Sequence, residues 1–267
     1  MQDLSCVGQC SLTVALPVLS AYGIETCVLP TAILSNHTMF KSWSYLDLTA
    51  ETENIFKEWS ANGFKFDAFL LGYLGKKELM EVADKCFDNF SAEGAPVIID
   101  PVFGDNGKLY GGFDLNYVAA MRSLIKRADI ILPNVTEACF LTDTEYREEQ
   151  GEKYIKDLAG KLFEMTGKTV VITGVEANGC IGEYILTEIM RGNKPALREE
   201  YVLLPKEPQK RHGTGDIFAS VFTANYLNGN SLSNCCSAAS RFVIDCLKET
   251  DAAHFYGVKF EKILNKR

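Results

Sequence analysis

The chain has 267 residues, 47% hydrophobic and 23% charged, an ordinary globular mix that excludes disorder as its main state. Lys and Arg number 27 against 35 Asp and Glu, and the net charge of -8 argues against a general DNA- or RNA-binding protein, which gains much of its affinity by neutralising phosphates. A single nucleotide is not excluded, because a few backbone N–H groups and a metal ion suffice to hold one.

In chain order the hydrophobic pattern predicts a helix over Ser11–Tyr22, a strand over Glu25–Pro30 and a helix over Thr49–Asn62. A strand over Phe66–Gly72, a helix over Lys76–Ser91 and a strand over Pro96–Asp100 follow. Next come a helix over Asp114–Arg127, a strand over Asp129–Pro133, a helix over Glu152–Thr166 and strands over Thr169–Thr173 and Glu200–Leu204. Helices over Asp216–Leu227 and Ser231–Leu247 complete the pattern. Val97-Ile98-Ile99, Ile130-Ile131-Leu132 and Val170-Val171-Ile172 are apolar throughout, as befits strands buried on both faces of a parallel sheet. Strand–helix alternation along the whole chain predicts an α/β fold. No repeat, low-complexity tract or Pro/Gly-rich linker divides it, so residues 1–267 read as one domain.

No apolar stretch reaches the roughly 20 residues a membrane helix needs. Asp3 stands where a signal peptide would carry a basic residue, so a cytoplasmic protein without membrane attachment is expected. The nine cysteines include no C-x-x-C pair, which speaks against a zinc site or thioredoxin chemistry. Polar residues crowd the carboxyl ends of three predicted strands: Asp100 to Gly107, Pro133-Asn134 to Glu137, and Thr173-Gly174. Ligands of open α/β sheets sit at such ends, although Asp, Asn and Gly also simply terminate strands.

The sharpest local feature is Gly213-Thr214-Gly215-Asp216, followed by apolar residues at helical spacing from Ile217. Two glycines at a helix N-terminus let the backbone approach a ligand and offer N–H groups to an anion. Asp216 alone could equally be a capping carboxylate. Other motifs fail: there is no G-x-x-x-x-G-K-S/T, no G-x-G-x-x-G, and the three histidines are isolated.

Gly213-Thr214-Gly215-Asp216 resembles the anion-hole and catalytic-base motif of the ribokinase-like superfamily. Within it the chain is similar to the pyridoxal kinases. Ser35-Asn36-His37-Thr38, Phe66-Asp67 through Gly72-Tyr73, Asp100 through Tyr110, and Pro133-Asn134-Val135-Thr136-Glu137-Ala138 carry the resemblance in the same order. It implies a central, mostly parallel sheet with helices on both faces and little or no lid, since no extra strand pair is evident before Pro30. It also implies transfer of the γ-phosphoryl group of ATP to the 5′-hydroxymethyl group of a B6 vitamer, by a homodimer. Asp216 would be the base, and the N–H groups of Gly213, Thr214, Gly215 and Asp216 the anion hole. Asp100 and Glu137 would lie near Mg²⁺, with Asn134 and Thr173 on the phosphate side of the nucleotide. Asp3 or Ser5, Thr38 and Tyr73 would hold the pyridine. Taken without the resemblance, Asn134 and Glu137 read as a helix cap and its acidic first turn.

The chain departs from the family at two places. Leu132 stands where a threonine associated with a monovalent-cation site is common, which leaves K⁺ open, and Gly8-Gln9-Cys10-Ser11 is shorter than the substrate loop of many relatives. The competing readings are a hydroxymethylpyrimidine kinase of the same superfamily, a catalytically silent nucleotide or vitamer sensor, and a pure interaction protein. The last two leave the carboxylate of Asp216 without a task.

Overall fold

A computed structural model describes residues 1–207 and 211–265. The chain runs β1 (Gln2–Ser5), α1 (Leu12–Ala21), β2 (Pro30–Leu34), β3 (Tyr45–Asp47) and α2 (Thr49–Ala61). It continues through β4 (Phe69–Leu71), α3 (Glu78–Phe90), β5 (Val97–Ile99), a small ladder of β6 (Gly104–Asp105) and β7 (Lys108–Leu109), and α4 (Leu115–Leu124). Then come β8 (Ile130–Ile131), α5 (Val135–Leu141), α6 (Glu152–Thr166), β9 (Thr169–Ala177), β10 (Cys180–Arg191) and β11 (Lys194–Pro205). Helices α7 (Thr214–Leu227), α8 (Leu232–Glu249) and α9 (Glu261–Leu264) end it. Contacts divide the chain into two compact units, Met1–Ile55 with Lys206–Arg267, and Phe56–Pro205.

The Phe56–Pro205 unit is built on a six-stranded sheet in the order β11-β10-β9-β8-β5-β4. Strands β4, β5, β8 and β9 are mutually parallel, and β10 and β11 extend the sheet as an antiparallel hairpin. Ile98, Ile99, Ile131, Val170, Val171 and Ile172 are fully buried, the pattern expected of strands covered on both faces. Each such side chain contributes roughly 1.5–3 kcal/mol of burial. Helix α3 shows why the intervening segments coil: Leu79, Met80, Val82, Ala83, Cys86, Phe87 and Phe90 form one buried stripe at helical spacing.

In the other unit β1 and β2 pair in parallel and β3 adds antiparallel to β2. Helix α7 packs on α1 and α8 and buries every residue from Ile217 to Ala224. Among the described residues no helix is long and apolar enough to cross a membrane, and no extra strand pair precedes Pro30.

Several elements differ from the sequence pattern. The strand expected over Glu25–Pro30 begins where that segment ends, because the ladder with β1 starts at Gln2 opposite Pro30. Pro30 has no N–H to donate and takes the first position of a strand, where that is harmless. The segment Glu200–Leu204 is the apolar half of β11, whose partner β10 the sequence pattern did not reveal. The short β3, the β6–β7 ladder and α9 were also not anticipated.

Candidate functional site

In the Phe56–Pro205 unit β5, β8 and β9 lie side by side and parallel, so the three polar strand ends share one edge. Asp100 follows β5 directly, Asn134 caps α5 just past β8, and Asn134 bridges Thr173 on β9. Strand β9 does not stop at Thr173. It continues to Ala177 through Gly174 at φ 71°, beside a register shift against β10 between Gly182 and Glu183. A bulge bends the strand there, which is why a glycine marks the edge without ending the strand.

Asn134 and Glu137 form a capping box. Asn134 Oδ1 accepts the Glu137 N–H at 3.0 Å, and Glu137 Oε2 accepts the Asn134 N–H at 2.9 Å. Glu137 Oε1 accepts the Phe103 N–H at 3.1 Å, while Asn134 Nδ2 donates to Gly104 O at 2.8 Å. Both residues therefore carry the cap anticipated for them, and they also tie α5 to the loop after β5. Asp100 is 7% exposed and Glu137 2%. Burial, and after it the charge of Asp100, holds the Glu137 carboxyl well above the usual carboxylate range. A desolvated, mutually repelling carboxylate pair is a donor set that suits Mg²⁺, which takes one or two protein carboxylates and keeps waters and phosphate oxygens as its other ligands. Among the described residues no three His, Cys, Asp or Glu gather as a metal site. Leu132, 2% exposed, offers no side-chain oxygen to a monovalent cation. Tyr73 is half-buried just past β4, its ring 5.5 Å from that of Phe113, which lies 4.1 Å from Tyr117.

In the other unit α7 opens on Gly213, its N-cap, at φ 83° and ψ -4°. A Cβ there would stand 2.3 Å from the Gln9 carbonyl oxygen, so only glycine fits both the backbone and the space. The helix begins two residues earlier than its apolar spacing indicated, which places Asp216 in its first turn. The N–H groups of Gly213, Thr214, Gly215 and Asp216 are the four that a helix leaves without internal partners. Burial pushes the Asp216 carboxyl up to about 6; an N–H from Ser11 opposes this, and the nearby charge of Asp3 adds to it.

Asp3 and Ser5 lie on β1, 3% and 1% exposed. Ser5 Oγ donates to Asp3 Oδ2 at 3.1 Å. Burial raises the Asp3 carboxyl as well, against hydrogen bonds from the Ser11 and Ser5 hydroxyls. Asp3, Ser5 and Asp216 are thus one cluster. Thr38 sits on an exposed turn in which the Phe40 N–H donates to His37 O at 3.1 Å. The neighbouring His37 ring lies 6.0 Å from that of His212.

Two residues here escaped the sequence reading. Gln9, under Gly213, is clasped on three sides: its N–H donates to Tyr256 O at 3.1 Å, its Nε2 to Glu261 Oε1 at 2.6 Å, and its Oε1 pairs with His254 Nε2 at 2.5 Å. Ser11 is the other: its hydroxyl favours the anion of Asp3 and its N–H that of Asp216. Its place before α1 signals an ordinary cap, and nothing local distinguishes it from one.

The chain has relatives among known proteins. The sequence matches the phosphomethylpyrimidine kinase family over residues 16–258. It is 30% identical over 256 residues to the pyridoxine/pyridoxal/pyridoxamine kinase of Bordetella avium, covering 92% of this chain and 82% of that one. The structure of pyridoxal kinase from Lactobacillus plantarum matches with a TM-score of 0.88 at 32% identity, over 99% of this chain and 94% of that chain. A Bacteroides thetaiotaomicron protein, provisionally assigned as a phosphomethylpyrimidine kinase and crystallised in an orthorhombic form with pyridoxal, matches with a TM-score of 0.89. It is 35% identical, over 99% of this chain and 92% of that chain.

Proposed function

Since the chain belongs to the phosphomethylpyrimidine kinase family and is a kinase of ribokinase-like α/β fold, we propose that it transfers the γ-phosphoryl group of ATP to the 5′-hydroxymethyl group of pyridoxal, pyridoxine or pyridoxamine. The observation that carries this reading is Asp216, a carboxyl pushed up to about 6 in the first turn of α7, directly after a glycine loop. An ordinary aspartate is a weak base, and a shift toward neutrality brings it nearer the working range of a proton acceptor.

Asp216 takes the proton of the hydroxymethyl group as its oxygen bonds to the γ-phosphorus and the bond to the bridging oxygen of ADP breaks. The N–H groups of Gly213, Thr214, Gly215 and Asp216 receive the charge that spreads over the transferring group. Asp100 and Glu137 would hold Mg²⁺, which when bound would neutralise the nucleotide phosphates. Asn134 and Thr173 serve the phosphate side of the nucleotide. Asp3, Ser5 and Thr38 offer hydrogen bonds to the pyridine, and Tyr73, already in a ladder of rings, offers it a face.

Residues 1–267 act as one kinase domain. It works in the cytoplasm, without nucleic acid or membrane, which agrees with nine free cysteines and a net charge of -8. It acts as a homodimer, and the apolar Trp43, Tyr45 (45% exposed) and Leu46 (58% exposed) at β3 supply surface for a second copy. Sedimentation at micromolar concentration tests this.

Hydroxymethylpyrimidine is the second substrate reading, favoured by the name of the family matched over residues 16–258. ADP release across pyridoxal, pyridoxine, pyridoxamine, hydroxymethylpyrimidine and ribose separates the readings. Turnover of at least one B6 vitamer is expected, dependent on Mg²⁺. Far better turnover of hydroxymethylpyrimidine or ribose would make the vitamer assignment wrong.

A further inference from the structure

The loop after β1 is fastened both to the start of α7 and to the segment that follows α8, and the three meet at Gln9. The Gln9 carbonyl oxygen fills the space that a Cβ on Gly213 would need, 2.3 Å from that position, and a Cβ on Gly257 would stand 2.6 Å from the Gln9 Cβ. Both glycines hold positive φ, 83° and 150°. With no side chain on either glycine the backbones pack directly, so a shift of Gln9 is passed on to Gly213. The segment after α8 is itself braced. Asp251 Oδ1 accepts the N–H groups of Ala253 and His254 at 3.1 and 3.2 Å, its carboxylate pairs with Lys259, and Asp251 O accepts from Arg211 Nη2 at 3.2 Å.

The side chain shows why a glutamine stands there. Its Nε2 donates to Glu261 Oε1 at 2.6 Å, and a carboxylate only accepts, which turns the amide oxygen toward His254. That oxygen lies 2.5 Å from His254 Nε2, so this ring nitrogen carries the hydrogen. A side chain that only donates or only accepts would satisfy one of these partners and fail the other. The Gln9 N–H adds a third bond, to Tyr256 O at 3.1 Å. We propose that Gln9 is a positioning residue of the anion hole: its amide, clamped between His254 and Glu261, holds its carbonyl against Gly213 and so fixes the N–H groups at the start of α7. The proposal rests on those N–H groups receiving the transferring phosphoryl group. A hole whose donors shift slightly stabilises the transition state less, while ground-state substrates bind nearly as well.

The test is the steady-state kinetics of Gln9→Glu, Glu261→Gln and the double variant. Inhibition by Mg·ADP with aluminium fluoride in the presence of vitamer, a stand-in for the transferring group, is the second readout. Gln9→Glu sets two carboxylates against each other, and kcat should fall by about ten-fold with the KM of vitamer and of Mg·ATP within about two-fold. Inhibition by the fluoride complex weakens by the same factor, which a smaller folded fraction would not cause. Glu261→Gln still accepts from Gln9 and keeps kcat within about two-fold. In the double variant donor and acceptor are exchanged, and kcat returns to within about three-fold of wild type. Gln9→Met breaks both bonds without adding charge and gives the same loss, which keeps the test open should Gln9→Glu not fold. Unchanged kcat in the Gln9 variants overturns the proposal, as does a lower kcat with unweakened fluoride inhibition. A raised vitamer KM at unchanged kcat would make Gln9 a substrate contact instead, and a double variant no faster than Gln9→Glu would dismiss the clamp. A wild type that turns over no vitamer, or Asp216→Asn with full turnover, would overturn the kinase reading itself, so the two failures are told apart.

Discussion

Asp216→Asn separates catalysis from stability in opposite directions. Asparagine keeps the size of the side chain and an oxygen for the Ser11 N–H, but it carries no charge and accepts no proton. Turnover should fall by about 10²–10⁴-fold if Asp216 is the base, with vitamer and Mg·ATP still binding. The wild-type carboxyl is pushed from 3.8 to about 6 in the folded chain, chiefly by burial. At about 1.4 kcal/mol per pH unit, that burial makes the wild type less stable by up to about 3 kcal/mol above pH 6. The sign follows from proton binding: the folded state holds this proton more tightly than the unfolded one. The contribution of Asp216 is therefore fully present below pH 4 and is lost as pH rises through 6. Asparagine removes the loss, so Tm at pH 7.5 should rise by about 5 °C for a chain of this length, and the gain should fade toward pH 4. Coupled ADP release, calorimetric titration of each substrate, and thermal unfolding between pH 4 and 8 measure all three quantities. Near-full turnover would refute the catalytic role, and a lower Tm at pH 7.5 would refute the claim that a desolvated charge strains this site.

Glu137→Gln retains an acceptor for the capping box but leaves one N–H of Phe103 or Asn134 without its oxygen. The KM for Mg·ATP should rise by about ten-fold or more while vitamer affinity changes little; unchanged Mg²⁺ and ATP dependence would reduce Glu137 to its capping role. Gly213→Ala places a Cβ 2.3 Å from the Gln9 carbonyl at φ 83°, and denaturant unfolding should show a loss of about 2–3 kcal/mol. Gly215→Ala is the control, since nothing lies within 4 Å of the added carbon, and it should unfold within about 0.5 kcal/mol of wild type. Asn134→Ala loses both the α5 cap and the bond to Gly104 O, which should lower stability by about 2 kcal/mol.

The central strands were legible because a strand covered on both faces must be apolar along its whole length. Val97–Ile99, Ile130–Ile131 and Val170–Ile172 announce themselves without knowledge of their neighbours. Strand β10 and the first half of β11 did not, because they carry charges such as Glu188 and Glu199 along an extension whose regularity comes from cross-strand hydrogen bonds. Glu25–Pro30 misled for the converse reason. It has the composition of a strand, yet the ladder that would make it one begins at its last residue.

The same division runs through the site. Gly213, Thr214, Gly215 and Asp216 are consecutive, and everything the proposed anion hole requires lies within those four residues, so the helix start was legible in local sequence. Asp100, Asn134 and Thr173 could be placed on one edge as soon as their strands were known to be parallel. Whether Asp216 is an ordinary surface carboxylate or one pushed up to about 6 depends on what covers it. Asp3 on β1, Ser11 before α1 and Asp216 on α7 come from opposite ends of the chain, and Gln9 is held by residues 254 to 261. Hydrogen bonds and desolvation act through space and leave no periodicity in the sequence, so tertiary structure alone decided the environment of Asp216.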